Sequence, residues 1–315
     1  MNSKPRIVFM GTPEIAATVL GKLLSDGHEV AAVFTREDKP KGRGGTLTPP
    51  PVKVLAESKG ISVFQPKTLR DEGVLDSLKL LAPDMIAVVA YGRILPPEVL
   101  SVAPYGCVNL HVSLLPKYRG AAPMQRAVMN GDRETGVTTM LMNEGLDTGD
   151  ILLVRRFPIG ERDTFETVHD TSAAIGGDLL SETLTRLCAG NITPAKQDES
   201  GASYAAKIEK SDQLLDFTLP AKALDCRIRG LYPFPLAYTR TSDGRLLKIV
   251  SAIPTEECGE AGTVIAVDGK GDGSITVACG EGALRILTVI PEGKGKMAAG
   301  DLVRGRKISV GERLS

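Results

Sequence analysis

The side chains whose types and spacing best suit a reaction are Asn109 and His111, two apart in the stretch Asn-Leu-His-Val-Ser-Leu-Leu-Pro at 109–116. Cys107 and Val108 lead into it and a Pro/Gly-rich segment follows, a pattern that predicts the carboxyl end of a buried strand closed by a loop. Alternation along a strand puts Asn109 and His111 on one face and Leu110 and Val112 on the other. Such a pair can equally serve to satisfy buried backbone groups. Histidine is scarce, however: of three, His28 falls in a predicted turn and His169 on a predicted helix. That leaves His111 as the one delivered to a sheet edge, where ligands settle in open α/β folds.

If a carboxylate such as Asp147 joins them from the acidic loop 143–150, the set holds an amide donor, an imidazole and a group to orient the ring. It suits a carbonyl whose oxygen turns negative in the transition state, as in acyl or formyl transfer. An enzyme nucleophile is missing. Ser113 has no Gly-x-Ser-x-Gly elbow around it, and Cys107, further back on the same face, reads as a small buried thiol. Direct attack by a substrate amine is the simpler mechanism.

The elements that must position these groups alternate. A strand at 6–10 meets the turn Gly11-Thr12-Pro13-Glu14, with Thr12 as N-cap, and Ile15, Val19, Leu20, Leu23 and Leu24 form the apolar stripe of a helix ending at Gly27. A strand at 29–35 follows. Only Gly11 stands where a dinucleotide fingerprint needs three glycines, which argues against a nicotinamide cofactor. At 36–53 the periodicity collapses: five basic residues face two acidic ones, and glycines and prolines oppose a regular element. This is either a solvated loop or one that orders on a polyanion through Lys39, Lys41 and Arg43. Alternation then resumes, with helices at 52–59 and 72–81 and strands at 61–65 and 84–91. The exit loop 90–96 is expected at the same sheet edge as Asn109. A helix at 122–130, strands at 136–142 and 151–157 and a long helix at 165–187 complete a first domain.

Residues 189–203 are rich in Gly, Pro, Ser and charge and read as a linker. Beyond about 207 the texture changes: a helix at 221–231 leads through Tyr-Pro-Phe-Pro into five short strands, at 237–240, 246–252, 263–267, 274–278 and 284–290, which suggest a small barrel. Lys294, Lys296, Arg304, Arg306, Lys307 and Arg313 make its end locally basic. The fold class is therefore α/β, a mainly parallel sheet with helices on both faces followed by a smaller β-barrel. The expected boundaries are 1–189, a linker at 190–206 and 207–315.

Composition narrows the function classes. With 315 residues, 42% hydrophobic content and zero formal net charge, about two soluble domains are expected and nothing global demands nucleic acid or a membrane. Five widely spaced cysteines without a Cys-x-x-Cys pair predict reduced thiols in the cytosol and neither zinc nor a disulfide framework. No apolar run approaches a membrane span or a signal-peptide core.

The stretch 109–116, followed by Arg119, Gly120 and Pro123 and then by Asp147-Thr148-Gly149-Asp150, resembles the folate-dependent formyltransferase family. The likeness extends to Val-Phe-Met-Gly-Thr-Pro at 8–13, to Lys-Gly-Arg-Gly at 41–44 and to the terminal barrel. It implies a Rossmann-like first domain and an OB-like second one, a 10-formyltetrahydrofolate donor, an initiator methionyl-tRNA acceptor and N-formylation of its methionine. By the same resemblance Asn109 and His111 stabilise the oxyanion, and Asp147 orients His111 and assists proton removal. Ser113, Leu114, Leu115 and Pro116, with Tyr91, Gly92, Ile94 and Leu95, would enclose the folate. Lys39, Lys41 and Arg43, with Lys294, Lys296, Arg304 and Arg306, would contact tRNA. A cytoplasmic monomer without metal is expected. The rivals are a formyltransferase acting on a sugar nucleotide or other small amine, and a non-catalytic tRNA- or folate-binding module.

Overall fold

The structure, a computed structural model, describes residues 4–41, 45–271 and 273–315. The apolar runs of the first half assemble into a seven-stranded sheet in the order Ile151–Pro158, Glu134–Leu141, Cys107–His111, Met85–Val89, Arg6–Gly11, Glu29–Phe34, Ser62–Phe64. The strands from Cys107–His111 to Ser62–Phe64 run parallel, and antiparallel pairing enters where Glu134–Leu141 joins Cys107–His111. Met85–Val89 is buried along its whole length, as a parallel strand covered on both faces must be. From Arg6–Gly11 the chain builds outward to Ser62–Phe64, then crosses back to place Met85–Val89 on the other flank. That reversal opens a crevice at the strands' carboxyl ends, the edge to which Cys107–His111 also delivers its last residues.

The two sheet faces have separate cores. Val108 and Leu110 pack with Val19 and Leu20 of helix Glu14–Ser25 and with Leu179 and Leu180 of helix Phe165–Cys188. Cys107 packs on the opposite face with Ile86, Leu78 and Val99. By alternation Asn109 and His111 share the Cys107 face, as expected from the sequence.

Two local expectations fail. Thr12 is not the helix N-cap: Pro13 holds that position, with no side-chain cap bond, and the Thr12 hydroxyl donates instead to the Tyr91 carbonyl at 3.0 Å. The hydroxyl donates to a distant carbonyl and does not accept from the helix's first amides, and two exit loops are tied together. The segment 36–53 is not devoid of regular structure either. Lys39–Lys41 pairs antiparallel with Thr46–Thr48, and Lys53 bonds Asp38 and Gln65 at 2.9–3.0 Å below the hairpin. Alternating Thr-Leu-Thr suffices for an edge pair with Pro40, which needs no donor there. Arg43, at its tip in sequence, lies outside the described residues.

The described chain divides into two compact units: Met1–Pro123, Glu134–Phe157 and His169–Ala205 make one; Met124–Arg133, Pro158–Val168 and Ala206–Ser315 make the other. Residues 124–133 and 158–168, expected in the first domain, thus group with the second. Met129 packs on the second unit's core, Arg229 donates to the Asp163 carbonyl at 2.6 Å, and Arg162 donates to the Ala252 carbonyl at 2.9 Å. Within this unit the sheet order is Ala237–Arg240, Leu246–Thr255, Ala283–Pro291, Ser274–Ala278, Val264–Asp268, all antiparallel. Its two outer strands are joined through the chain end. Ser315 exchanges backbone hydrogen bonds with Arg240 at 2.7 and 3.0 Å, and the Glu312 carbonyl accepts from the Val264 amide at 2.8 Å.

The segment 190–206 is not a free linker. Ala195 bridges Ile151, and Tyr204–Ala205 pairs in parallel with Arg119–Gly120. Its polar composition is consumed by single, non-periodic hydrogen bonds, which periodicity does not register.

Candidate active site

Asn109 and His111 are 9% and 6% exposed at the end of their strand, held in register by the pairs Asn109 with Met140 and His111 with Thr138. His111 Nε2 lies 2.9 Å from the Tyr118 carbonyl. A carbonyl only accepts, so Nε2 carries a proton and donates, which leaves Nδ1 as the nitrogen free for chemistry. Nδ1 lies 3.6 Å from Asp147 Oδ2. That gap exceeds a good hydrogen bond, so the ring's orientation is fixed by Tyr118 and not by Asp147. The Asn109 amide has no hydrogen-bond partner among the described residues, and its free donors stand on the same strand face as His111.

Asp147 is itself held. Oδ2 accepts from the Gly120 amide at 2.8 Å, and Gln197 Nε2 donates to the carbonyls of Asp147 and Gly149 at 2.8 Å each. Asp147 sits at φ 52°, a conformation that such bonds must hold in place for a residue with a Cβ. Gly149 has no room for a side chain, since a Cβ would meet the Leu141 carbonyl. The loop 113–120 is fixed from both sides. Thr138 Oγ1 donates to the Ser113 carbonyl at 2.7 Å, Ser113 Oγ donates to the Lys117 carbonyl at 2.6 Å, and the Tyr118 amide donates to Ser203 Oγ at 2.9 Å. Arg119, with a side chain 1% exposed, forks onto Glu199 and Gln197 at 2.7–3.1 Å. This charge-assisted pairing draws the Glu199 carboxyl below its ordinary range. Gln197, Glu199 and Ser203 thus position the site from a stretch that sequence reading assigned to a linker. Their signal, polar residues each bonding a different distant group, has no periodicity to find.

Gly120 is constrained twice, by φ 112° and by a Cβ position 3.0 Å from the Ala205 carbonyl. Gly120→Ala is expected to lower stability by about 1–3 kcal/mol and to cut turnover by displacing the amide that anchors Asp147. Chemical denaturation and steady-state rates measured on one preparation check both effects.

The other expected residues divide by burial. In the loop after Met85–Val89, Gly92 and Ile94 are exposed, Ile94 by 88%, whereas Tyr91 and Leu95 sit in the core. Burial pushes the Tyr91 phenol up to about 12, and its hydroxyl finds no partner among the described residues. Ser113 and Leu115 are buried too, leaving Leu114 and Pro116 half-exposed. The side chains of Tyr91, Leu95 and Leu115 are packed inward, and the Ser113 hydroxyl is committed to the Lys117 carbonyl. Burial also pushes the Cys107 thiol up to about 12 beside the Val99 carbonyl, so it supplies no thiolate.

Among the basic residues, Lys39, Lys294, Lys296 and Arg306 are exposed. Arg304 is engaged internally, donating to the carbonyls of Gly269 and Gly271 at 2.7 Å each and to Asp301. Among the described residues no group of three or more His, Cys, Asp or Glu could hold a metal, and no helix is long and apolar enough to cross a membrane.

Residues 5–184 match the model of the formyl transferase family, and residues 207–307 match that of the formyl transferase C-terminal domain. A methionyl-tRNA formyltransferase of Symbiobacterium thermophilum is 49% identical over 313 residues, covering 98% of this chain and 95% of the relative. That of Geotalea daltonii is 46% identical over 309 residues, 98% of each. Solved structures agree in fold. HypX from Aquifex aeolicus, in complex with tetrahydrofolic acid, has a TM-score of 0.66 at 20% identity over 96% of this chain, which spans 47% of that longer protein. An N-formyltransferase from Helicobacter canadensis, in complex with folinic acid and dTDP-3-aminofucose, has a TM-score of 0.63 at 17% identity, covering 90% of this chain and 99% of its own. With both halves matched and near-complete relatives at such identity, the chain belongs to the formyl transferase family.

Proposed function

We propose that this enzyme transfers the formyl group of 10-formyltetrahydrofolate to the α-amino group of initiator methionyl-tRNA. The observation that carries the reading is the Nδ1 nitrogen of His111, 3.6 Å from Asp147 and beside the unengaged Asn109 amide, in a chain nearly half identical to enzymes named for this acceptor. The methionyl nitrogen bonds to the formyl carbon, the bond from that carbon to folate N10 breaks, and one proton passes from the amine to N10. The Asn109 amide and, when protonated, His111 Nδ1 donate to the oxygen that turns negative. Asp147 helps to remove the amine proton, by way of Nδ1 or a water.

In this reading the first unit carries the transfer and the second holds tRNA. Exposed Ile94 and half-exposed Leu114 and Pro116 face the folate, while Lys39, Lys41 and Arg43 meet acceptor-stem phosphates. All five cysteines are free, which suits the cytoplasm.

The test is to incubate the protein with 10-formyltetrahydrofolate and, separately, charged initiator tRNA, charged elongator methionine tRNA and a dTDP-amino sugar. N-formylmethionyl-tRNA should form fastest on the initiator; formylation of the sugar alone would sink the reading. A further expectation concerns the hairpin. Lys41→Ala with Arg43→Ala should raise the KM for tRNA about tenfold and flatten its salt dependence, with the KM for the folate donor unchanged. Identical salt slopes in parent and variant would remove the hairpin from tRNA binding.

A further inference from the structure

Phe234 stands apart from every other phenylalanine in the chain. Six of the seven are buried or half-buried, whereas Phe234 is 79% exposed in a protein of only 4% aromatic residues. It contributes little to the core of its unit, which the preceding helix Ala221–Leu231 fills with Leu224, Ile228 and Leu231. Pro233 and Pro235 flank it and fix the backbone on either side, so the ring is presented with little conformational freedom to lose on binding. Two residues before it, the ring of half-buried Tyr232 lies under Lys296 Nζ at 6.0 Å, and Lys296 and nearby Lys294 are both exposed. A solvent-facing aromatic ring two residues along the chain from one that carries a lysine is the chemistry that binds unpaired nucleotides: a base stacks on the ring and a cation takes the adjoining phosphate.

We propose that Phe234 is a stacking platform for an unpaired base of the bound tRNA, with Lys296, steadied over Tyr232, taking the neighbouring phosphate. This deepens the proposed function by naming where the second unit holds the RNA, and it rests on tRNA being the acceptor.

The chain contains no tryptophan, so Phe234→Trp installs a single reporter at the platform. Titrating this variant with deacylated initiator tRNA should quench its emission saturably, at a Kd within twofold of the parent. Phe234→Ala and Phe234→Leu should each raise that Kd about tenfold without altering its salt slope, because stacking releases no counterions. Lys296→Ala should instead flatten the slope by about one phosphate contact, ~0.7–0.9 in log Kd against log salt. Parental binding by Phe234→Ala, or by Phe234→Leu alone, would overturn the proposal, as would unquenched emission at saturating tRNA. Because Phe234 is exposed, melting temperatures should match the parent's and rule out misfolding as the cause. Binding is read on uncharged tRNA, so failure here with intact formylation rejects the platform alone. Loss of formylation in the parent protein rejects the wider reading.

Discussion

Asn109→Ala is expected to slow formyl transfer by about 10²–10³-fold, the loss typical of one oxyanion donor. The structure makes this a clean experiment. The backbone of Asn109 is held by strand pairing, while its side-chain amide bonds nothing among the described residues. Truncation leaves no buried partner unsatisfied, so stability should change by no more than about 1 kcal/mol. The signature is a fall in kcat with little change in the KM for either substrate, since the amide gains its hydrogen bond only as the carbonyl oxygen becomes negative. Single-turnover transfer at saturating tRNA, alongside denaturant unfolding, separates this from a structural role. A rate within threefold of the parent would remove Asn109 from the mechanism.

Asp147→Asn should cost about 10²–10⁴-fold in kcat, the range for losing a positioned acid–base group. The replacement keeps an oxygen to accept from the Gly120 amide, 2.8 Å from Oδ2, so the loop's anchor survives and the loss is one of charge and basicity. His111 should keep its orientation, because its Nε2 is bound to the Tyr118 carbonyl. Combining both substitutions gives a sharper readout. Asn109 and Asp147 act on different atoms of one transition state, so the double variant should lose less than the product of the two single losses. Full multiplicativity would mean that the two residues act independently.

The pairing of Asn109 with His111 on one face was legible in the sequence because strand alternation is a property of two adjacent peptide units. Asp147 was not reached by any period: the acidic loop offered it as one candidate carboxylate, and the family resemblance singled it out. The details of its setting were harder still: the bond from Tyr118, and not Asp147, orients the ring, and Gly120 anchors the carboxylate. Thr12 looked like a helix cap because the cap motif is local, yet its hydroxyl reaches Tyr91, 79 positions away. The segment 190–206 looked like a linker because its composition is that of linkers, yet Gln197 and Ser203 hold the site at separations of 78 and 85 residues.

The sequence by itself determined the succession of strands and helices, the buried strand with its two polar side chains at the exit, and the change to short strands in the second half. Each of these is written in periods of two or of 3.6 residues, which any window of the chain contains. The tertiary structure alone decided which nitrogen of His111 is free, what holds Asp147, and that residues 124–133 and 158–168 group with the second unit. A single hydrogen bond between residues far apart in the chain leaves no periodic trace, and exists only once packing has brought its two ends together.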